Sequence, residues 1–321
     1  MLEQMAYKMQ PAGHEEPPQK RKYEEPGRKF SETFEKWLKE FPQKAEYKDR
    51  VAAYNKALRQ TKHLDYTIYE CSSLLLKYQE NERLNHAGLF LSAAYNNHKD
   101  RVIVYDFTPE HPLIHLGHQF VQHKVLINKG NAGYSALQSG KGCLMNFADI
   151  DDDCGSGCSG LILNYGKIGS NSGALLSGAL INFGEADWQL GQFAEGIIIN
   201  CGKAGKELGS SIGKGIVLAL ENAESHGDPI YKGMKQQTDM SRIFDEKKCK
   251  KIEGLAEYVE NIRKEFEVAR TDSKAVLNVL DKYGADPASK IKHDIIALMK
   301  RSGYTDFDFK ILFKTKTNHS F

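Results

Sequence analysis

Four histidines, His111, His115, His118 and His123, fall within 13 residues and form the densest imidazole cluster of the chain. Imidazoles brought together can bind Zn²⁺. No carboxylate or cysteine accompanies them at ligand spacing, and Pro109 and Pro112 predict a winding segment around them. Cys154 and Cys158, in the run DDDCGSGCSG, would make a cluster with Cys143 and Cys201 if all four shared a wall. Their positions in an 18-residue repeat, 12, 16, 1 and 5, put most on different walls. Small buried thiols filling a tight interior are therefore the expectation. Asp149, Asp151, Asp152 and Asp153 carry hard oxygen ligands of the kind Ca²⁺ takes, with a solvated corner as the simpler reading. Nucleophile elbows, phosphate loops and paired zinc motifs are absent, and no Gly-x-Gly-x-x-Gly joins a strand to a long helix. No catalytic residue, resident metal or cofactor is expected.

The elements that must carry these residues announce themselves by repetition. Asn128, Asn146, Asn164, Asn182 and Asn200 stand 18 residues apart, each ending an apolar run: VLIN, CLMN, LILN, ALIN, IIIN. Glycines recur in three columns: Gly142, Gly160, Gly178, Gly196 and Gly215; Gly130, Gly166, Gly184 and Gly202; Gly155, Gly173, Gly191 and Gly209. A fixed period of this length means stacked units that cannot bury their apolar faces alone. Eighteen residues are too few for a helix pair, and the glycine density opposes long helices. The spacing predicts a parallel β-helix of five to six coils over 125–222, each coil three short strands with glycine corners. Stacked asparagines would form a buried hydrogen-bonded ladder.

The flanks read differently. Residues 1–28 have little to bury and predict a disordered leader. A helical region follows over 29–100, with Ser31 as a cap ahead of Phe34, Trp37, Leu38 and Phe41. RVIVYDF, at 101–107, begins a strand-and-turn segment that caps the solenoid over 101–124. Residues 223–245 read as a linker, 246–303 as helical, and 304–321 as a tail strand. Three consecutive apolar positions precede each asparagine, so both faces of that wall need cover. One row, Leu144, Ile162, Leu180 and Ile198 with Leu126 and Val217, is expected to point outward as an interface stripe. The seam Ile252, Leu255, Val259, Ile262, Phe266 and Ala269 is long enough to dock there, with a second copy of the chain as the rival cover.

The chain holds 44 basic and 42 acidic residues, a net charge of +2, which gives no case for nucleic acid as a partner. Neither a secretory signal nor an apolar run near 18 residues occurs, so a soluble cytoplasmic protein with reduced thiols is expected, and no membrane association.

The last full coil, Gly202-Lys-Ala-Gly205-Lys-Glu-Leu-Gly209 onward through Gly215-Ile-Val-Leu, resembles the GXGXG repeat. Gly130-Asn131-Ala132-Gly133 and Gly184-Glu185-Ala186 are similar to its GNAG element. That repeat builds the β-helix at the carboxyl end of the glutamate synthase large subunit and the β-helical subunit of formylmethanofuran dehydrogenase. The resemblance spans about residues 125–222 and implies an architectural module that packs domains and subunits. Nothing in the chain is similar to the glutaminase, flavin or pterin domains of those enzymes. The expected function is a non-catalytic scaffold acting through a protein partner or self-association, as an accessory subunit. The alternatives are an acyltransferase-like β-helix enzyme, which also uses 18-residue coils, or a small-ligand or metal-binding module. Two of the three columns such an enzyme would need are aliphatic here, and no histidine lies between His123 and His226.

Overall fold

Each asparagine-ended run is a four-residue strand, and strands from successive coils pair in parallel. In chain order these are β1 (Val102–Tyr105), β2 (Val125–Asn128), β3 (Cys143–Asn146), β4 (Asp149–Ile150), β5 (Leu161–Asn164), β6 (Lys167–Ile168), β7 (Ala179–Asn182), β8 (Glu185–Ala186), β9 (Ile197–Asn200), β10 (Lys203–Ala204), β11 (Ile216–Ala219) and β12 (Ile243–Phe244). One sheet has the order β1-β2-β3-β5-β7-β9-β11-β12, and the second has the order β10-β8-β6-β4. The register sets asparagine on asparagine at every level from Asn128 to Asn200. The protein is thus a parallel β-solenoid of about five coils over residues 125–219, with helices before and after it. The computed structural model describes residues 24–41, 46–77, 86–107, 112–212, 214–221, 240–305, 309 and 312.

The third wall of the coil is a run of turns, where the sequence predicts a strand. Its backbone enters the left-handed region at every second residue: Asp153, Gly155 and Gly157 in one coil, Asn171, Gly173 and Leu175 in the next. Such a zigzag cannot form a strand ladder, so its N–H groups bond alternately to the coil above and the coil below. Asp153 N–H donates to the Ser170 carbonyl at 2.9 Å, and Gly155 N–H to the Ala136 carbonyl at 2.7 Å. A positive φ costs a non-glycine residue about 1–2 kcal/mol, and these inter-coil bonds offset it. His115, Gly117 and Gln119 have the same alternation, and Leu113 bridges to Ala132 as Ala132 does to Ile150. With β1 paired to β2, the segment predicted as a cap forms a coil level of its own.

The glycine columns divide into two kinds. Of the three, only the column of Gly155, Gly173, Gly191 and Gly209 has positive φ. The other columns are close approaches between coils: a Cβ on Gly178 would lie 2.0 Å from the Gly160 carbonyl oxygen.

The predicted interface stripe faces the wrong way. Leu144, Ile162, Leu180 and Ile198 point into the solenoid and pack with Ile150, Cys154, Cys158, Ile168 and Leu176. The reason is the two-residue alternation of a strand. Each of these residues precedes an inward asparagine by two and must share its face. The outward rows are their neighbours, Cys143 and Met145, Leu161 and Leu163, Ala179 and Ile181, Ile197 and Ile199. These outward rows are the ones covered by the predicted seam: Ile252, Leu255, Val259, Ile262, Phe266 and Ala269 are all buried against them. Phe147, Tyr165 and Phe183, each just after an asparagine, stack at 4.8 and 5.0 Å beneath the same helices.

Helix α1 (Glu24–Glu40) begins upstream of Ser31 and runs through it, so Ser31 is not a cap. Its face of Phe30, Phe34, Trp37 and Leu38 is buried, which is why the helix extends past the polar residue. α2 (Tyr47–Thr61), α3 (Ile68–Lys77) and α4 (Ala87–Asn97) complete the amino-terminal layer. α4 is buried from Ala87 to Tyr95 and lies against the first coil level. A Cβ on Gly88 would lie 2.0 Å from the Ile114 carbonyl oxygen, so the backbones touch there. The carboxyl-terminal layer contains α5 (Glu246–Cys249), α6 (Leu255–Glu267), α7 (Ala275–Tyr283) and α8 (Pro287–Arg301). Asp286 caps α8 by accepting from Ser289 N–H at 3.0 Å. The leader predicted over 1–28 lies outside the described residues up to 23, and its last five residues are helical instead, because α1 starts at Glu24; the linker predicted over 223–245 lies outside them up to 239, and 240–245 carry β12. The tail strand also lies outside them, save Thr305 and Tyr304 and the buried Phe309 and Leu312. Among the described residues no helix is long and apolar enough to cross a membrane.

Candidate functional site

Two groups of polar side chains are buried, and they are built in opposite ways. The first is the asparagine column. All five asparagines are 0% exposed. Each Nδ2 donates to the Oδ1 one coil on: Asn128 to Asn146, Asn146 to Asn164 and Asn164 to Asn182 at 2.7 Å, and Asn182 to Asn200 at 2.8 Å. The second amide hydrogen goes to backbone at the adjoining corner, as from Asn164 to the Gly166 carbonyl at 3.0 Å. The ladder therefore runs one way. It ends where the register changes residue type, at Tyr105 below Asn128 and at Ala219 above Asn200. Asn128 Oδ1, at the open end, has no donor among the described residues.

The second group lies where α2, α4 and the first coil levels meet. The turn wall places His115 and His118 side by side, their rings 6.1 Å apart, and α4 holds them from the other side. Ser92 on α4 donates its hydroxyl to the His115 carbonyl at 3.0 Å and accepts His118 N–H at 3.1 Å. α2 supplies Tyr54, edge-on to His118 at 5.1 Å, and Arg50, whose Nη1 lies 3.3 Å from His115 Nε2. A guanidinium only donates, so His115 Nε2 is the acceptor and the ring proton sits on Nδ1. His86, just before α4, faces the same Arg50 charge. Tyr134, one coil up, stands at the rim, and its hydroxyl interacts with Asp153.

Burial, and then the Arg50 charge, push His115 down to about 3 and His118 down to about 4. Gln138 opposes the shift at His115 by a smaller amount. Burial first and Arg50 second lower His86 as well. All three rings are neutral near pH 7. Among the described residues His115 Nδ1, both nitrogens of His118, His86 Nδ1 and Arg50 Nε are buried with no hydrogen bond of ordinary length, Gln138 making only a loose approach to His115. Ser135 Oγ, on the coil above His115, is buried and has only the neighbouring Tyr134 hydroxyl within reach.

Of the four clustered histidines, then, the structure brings two together. His123 is exposed at the mouth of a cleft of about 270 Å³ between the solenoid and the start of α8. His111 lies outside the described residues. Arg50 and His86 were missed in the sequence, because 65 and 29 residues separate them from His115 and no local pattern marks either. Cys154 and Cys158 fill the solenoid interior, whereas Cys143 and Cys201 lie on its outside beneath the carboxyl-terminal helices. All six thiols are unpaired, and burial pushes that of Cys158 up to about 12. Asp149, Asp151 and Asp152 are exposed, and Asp152 accepts Ser170 N–H at 2.7 Å. Among the described residues no group of three or more histidine, cysteine or carboxylate side chains is placed to hold a metal ion.

Comparison with known proteins adds no relative: no family model, no curated protein and no solved structure matches this chain.

Proposed function

We propose that the protein is a non-catalytic scaffold that acts by holding a partner protein against the turn wall of its solenoid. The observation that carries this reading is a contrast in exposure. The paired imidazoles of His115 and His118 and the interior thiols are buried, and they are shifted away from the neutral range where acid–base and nucleophilic work is done. Of the five exposed large apolar side chains among the described residues, three stand on one wall of the solenoid, while Tyr69 and Val268 belong to the helical layers. Tyr134, Leu175 and Trp188 are 42%, 47% and 43% exposed. Tyr134 and Trp188 occupy the same repeat position three coils apart, a separation of about 14 Å. Aromatic residues at such spacing, held on a rigid frame, are the usual anchors of protein interfaces.

On this reading the solenoid plays the architectural part implied by its resemblance to the GXGXG modules, and the protein serves as an accessory subunit. Six unpaired cysteines fit a reducing, cytoplasmic setting. The test is capture by crosslinking in native lysate, wild type against Leu175→Ser/Trp188→Ser. A stoichiometric partner held by the wild type and lost by the variant supports the reading. Equal capture by both proteins, or turnover of an acyl-CoA or other metabolite by the purified chain, overturns it. Concentration-dependent self-association lost in the variant would make the partner a second copy.

A further inference from the structure

The cluster under α2 and α4 has more donors than acceptors. Arg50 Nε–H is a buried donor with no partner among the described residues, His115 Nδ1–H has at most the loose approach of the Gln138 side chain, and neutral His118 and His86 each contribute a further ring N–H or a bare nitrogen. His115 is 1% and His118 2% exposed, so water does not supply the missing acceptors from bulk. Among the described residues Arg50 has no carboxylate partner. Buried donors without acceptors are costly, and native proteins rarely leave such groups unmatched.

We propose that Arg50, His115 and His118, with His86 and Ser135 at the margin, form a binding site for a small oxyanion, a phosphate or carboxylate group entering past Tyr134. An anion supplies what the cluster lacks: several acceptor lone pairs at one point and a negative charge opposite Arg50. A metal cation does not fit these residues. Arg50 Nη1 already occupies His115 Nε2 at 3.3 Å and sets a fixed positive charge where a divalent ion would sit. The half-exposed Tyr134 has its ring 6.4 Å from that of His115, so the site lies one side chain below the surface, and its closely packed rings suit only a small group.

The experiment is isothermal titration of the full chain with inorganic phosphate and, separately, acetate, against chloride at matched ionic strength. Ring ¹⁵N shifts of His115 and His118 are recorded along each titration. Saturable binding by at least one oxyanion, with both rings shifting, is the expected result. Arg50→Gln should then lose about 10- to 100-fold in affinity, the loss equivalent to a charged hydrogen bond. Arg50→Lys should recover most of it, and this second variant separates lost charge from a damaged fold. The proposal is overturned if neither oxyanion produces saturable heat or ring shifts in the wild type. It is equally overturned if Arg50→Gln binds as tightly, or if Zn²⁺ saturates the histidines while both oxyanions leave them unmoved.

Discussion

The asparagine column and the Arg50–histidine cluster are both polar, both buried and only a few coils apart, yet their hydrogen bonding is opposite. In the column, each interior asparagine has its amide paired above and its oxygen paired below. In the cluster, five ring and guanidinium nitrogens have no hydrogen bond of ordinary length among the described residues. The column is internally complete because one residue type is both donor and acceptor and repeats at the coil spacing. A guanidinium only donates and each neutral imidazole has one donor and one acceptor, so the group as a whole has donors left over. Complete networks are structure, while an incomplete one at a boundary between layers points to something added.

That contrast can be broken or sharpened by substitution. The largest effect should come from the frame that sets the coil spacing. Gly173 has φ of +70° and its Cβ would lie 3.0 Å from Leu180 Cδ1. Gly173→Val therefore combines backbone strain with overpacking, on the order of 3 kcal/mol or more by urea denaturation. A midpoint close to that of the wild type would mean the ladder does not need its corner.

Next is the middle of the column. Asn164→Ala strands the acceptor of Asn182 and leaves one Asn146 amide hydrogen with only the longer contact to the Lys167 carbonyl at 3.2 Å, and should cost about 1–3 kcal/mol. Asn128→Ala leaves Asn146 Oδ1 with the Ala148 N–H at 3.3 Å and removes an already unpaired oxygen, so it should cost about half as much or less. Equal losses at the two sites would show that the amides act singly and not as a ladder.

The cluster should respond least at neutral pH. His118→Leu leaves no partner behind, since neither ring nitrogen has one, and should stay within about 1 kcal/mol of wild type. Acid then separates the two proteins. The folded pKa of His118 is about 4, below its ordinary 6.5, so the unfolded chain takes up protons first. Its share of stability is whole above pH 6.5 and is lost as pH falls through 4. His115 behaves likewise down to about 3. Thermal melts across pH 7 to 4 should therefore fall less steeply for His118→Leu than for wild type, and parallel curves would refute the neutral burial of this ring.

Removing the carboxyl-terminal layer tests the outer face of the column's own strands. A chain truncated before Glu246 bares Met145, Leu163, Ile181 and Ile199, a patch larger than soluble monomers expose. It should bind a hydrophobic dye and self-associate, and a silent monomer would contradict the observed cover.

Legibility followed the range of the interactions. The solenoid, its period and the asparagine register could be read because each coil sees mainly its neighbours, so sequence spacing maps directly onto contact. The seam from Ile252 to Ala269 was visible for the same local reason. The orientation of Leu144 and its row was misread although it was there to be read: asparagine inward at one position requires the residue two before it to be inward. The turn wall was misread for a different cause. Alternating positive φ falls on Ser135, Leu137, Asp153 and Asn171 as well as on glycine, and side-chain type gives no sign of it.

By itself, then, the sequence determined that this chain stacks 18-residue coils, where the asparagines meet and which helix is amphipathic enough to cover them. Those properties depend on periodicity, and periodicity survives without coordinates. Only the tertiary structure decided that Arg50 reaches His115, that α4 seals His118 from water and that the outward rows, not the Leu144 row, lie under the carboxyl-terminal helices. Such contacts join residues far apart in the chain, and the packing of separate layers, which no local pattern encodes, brings them together.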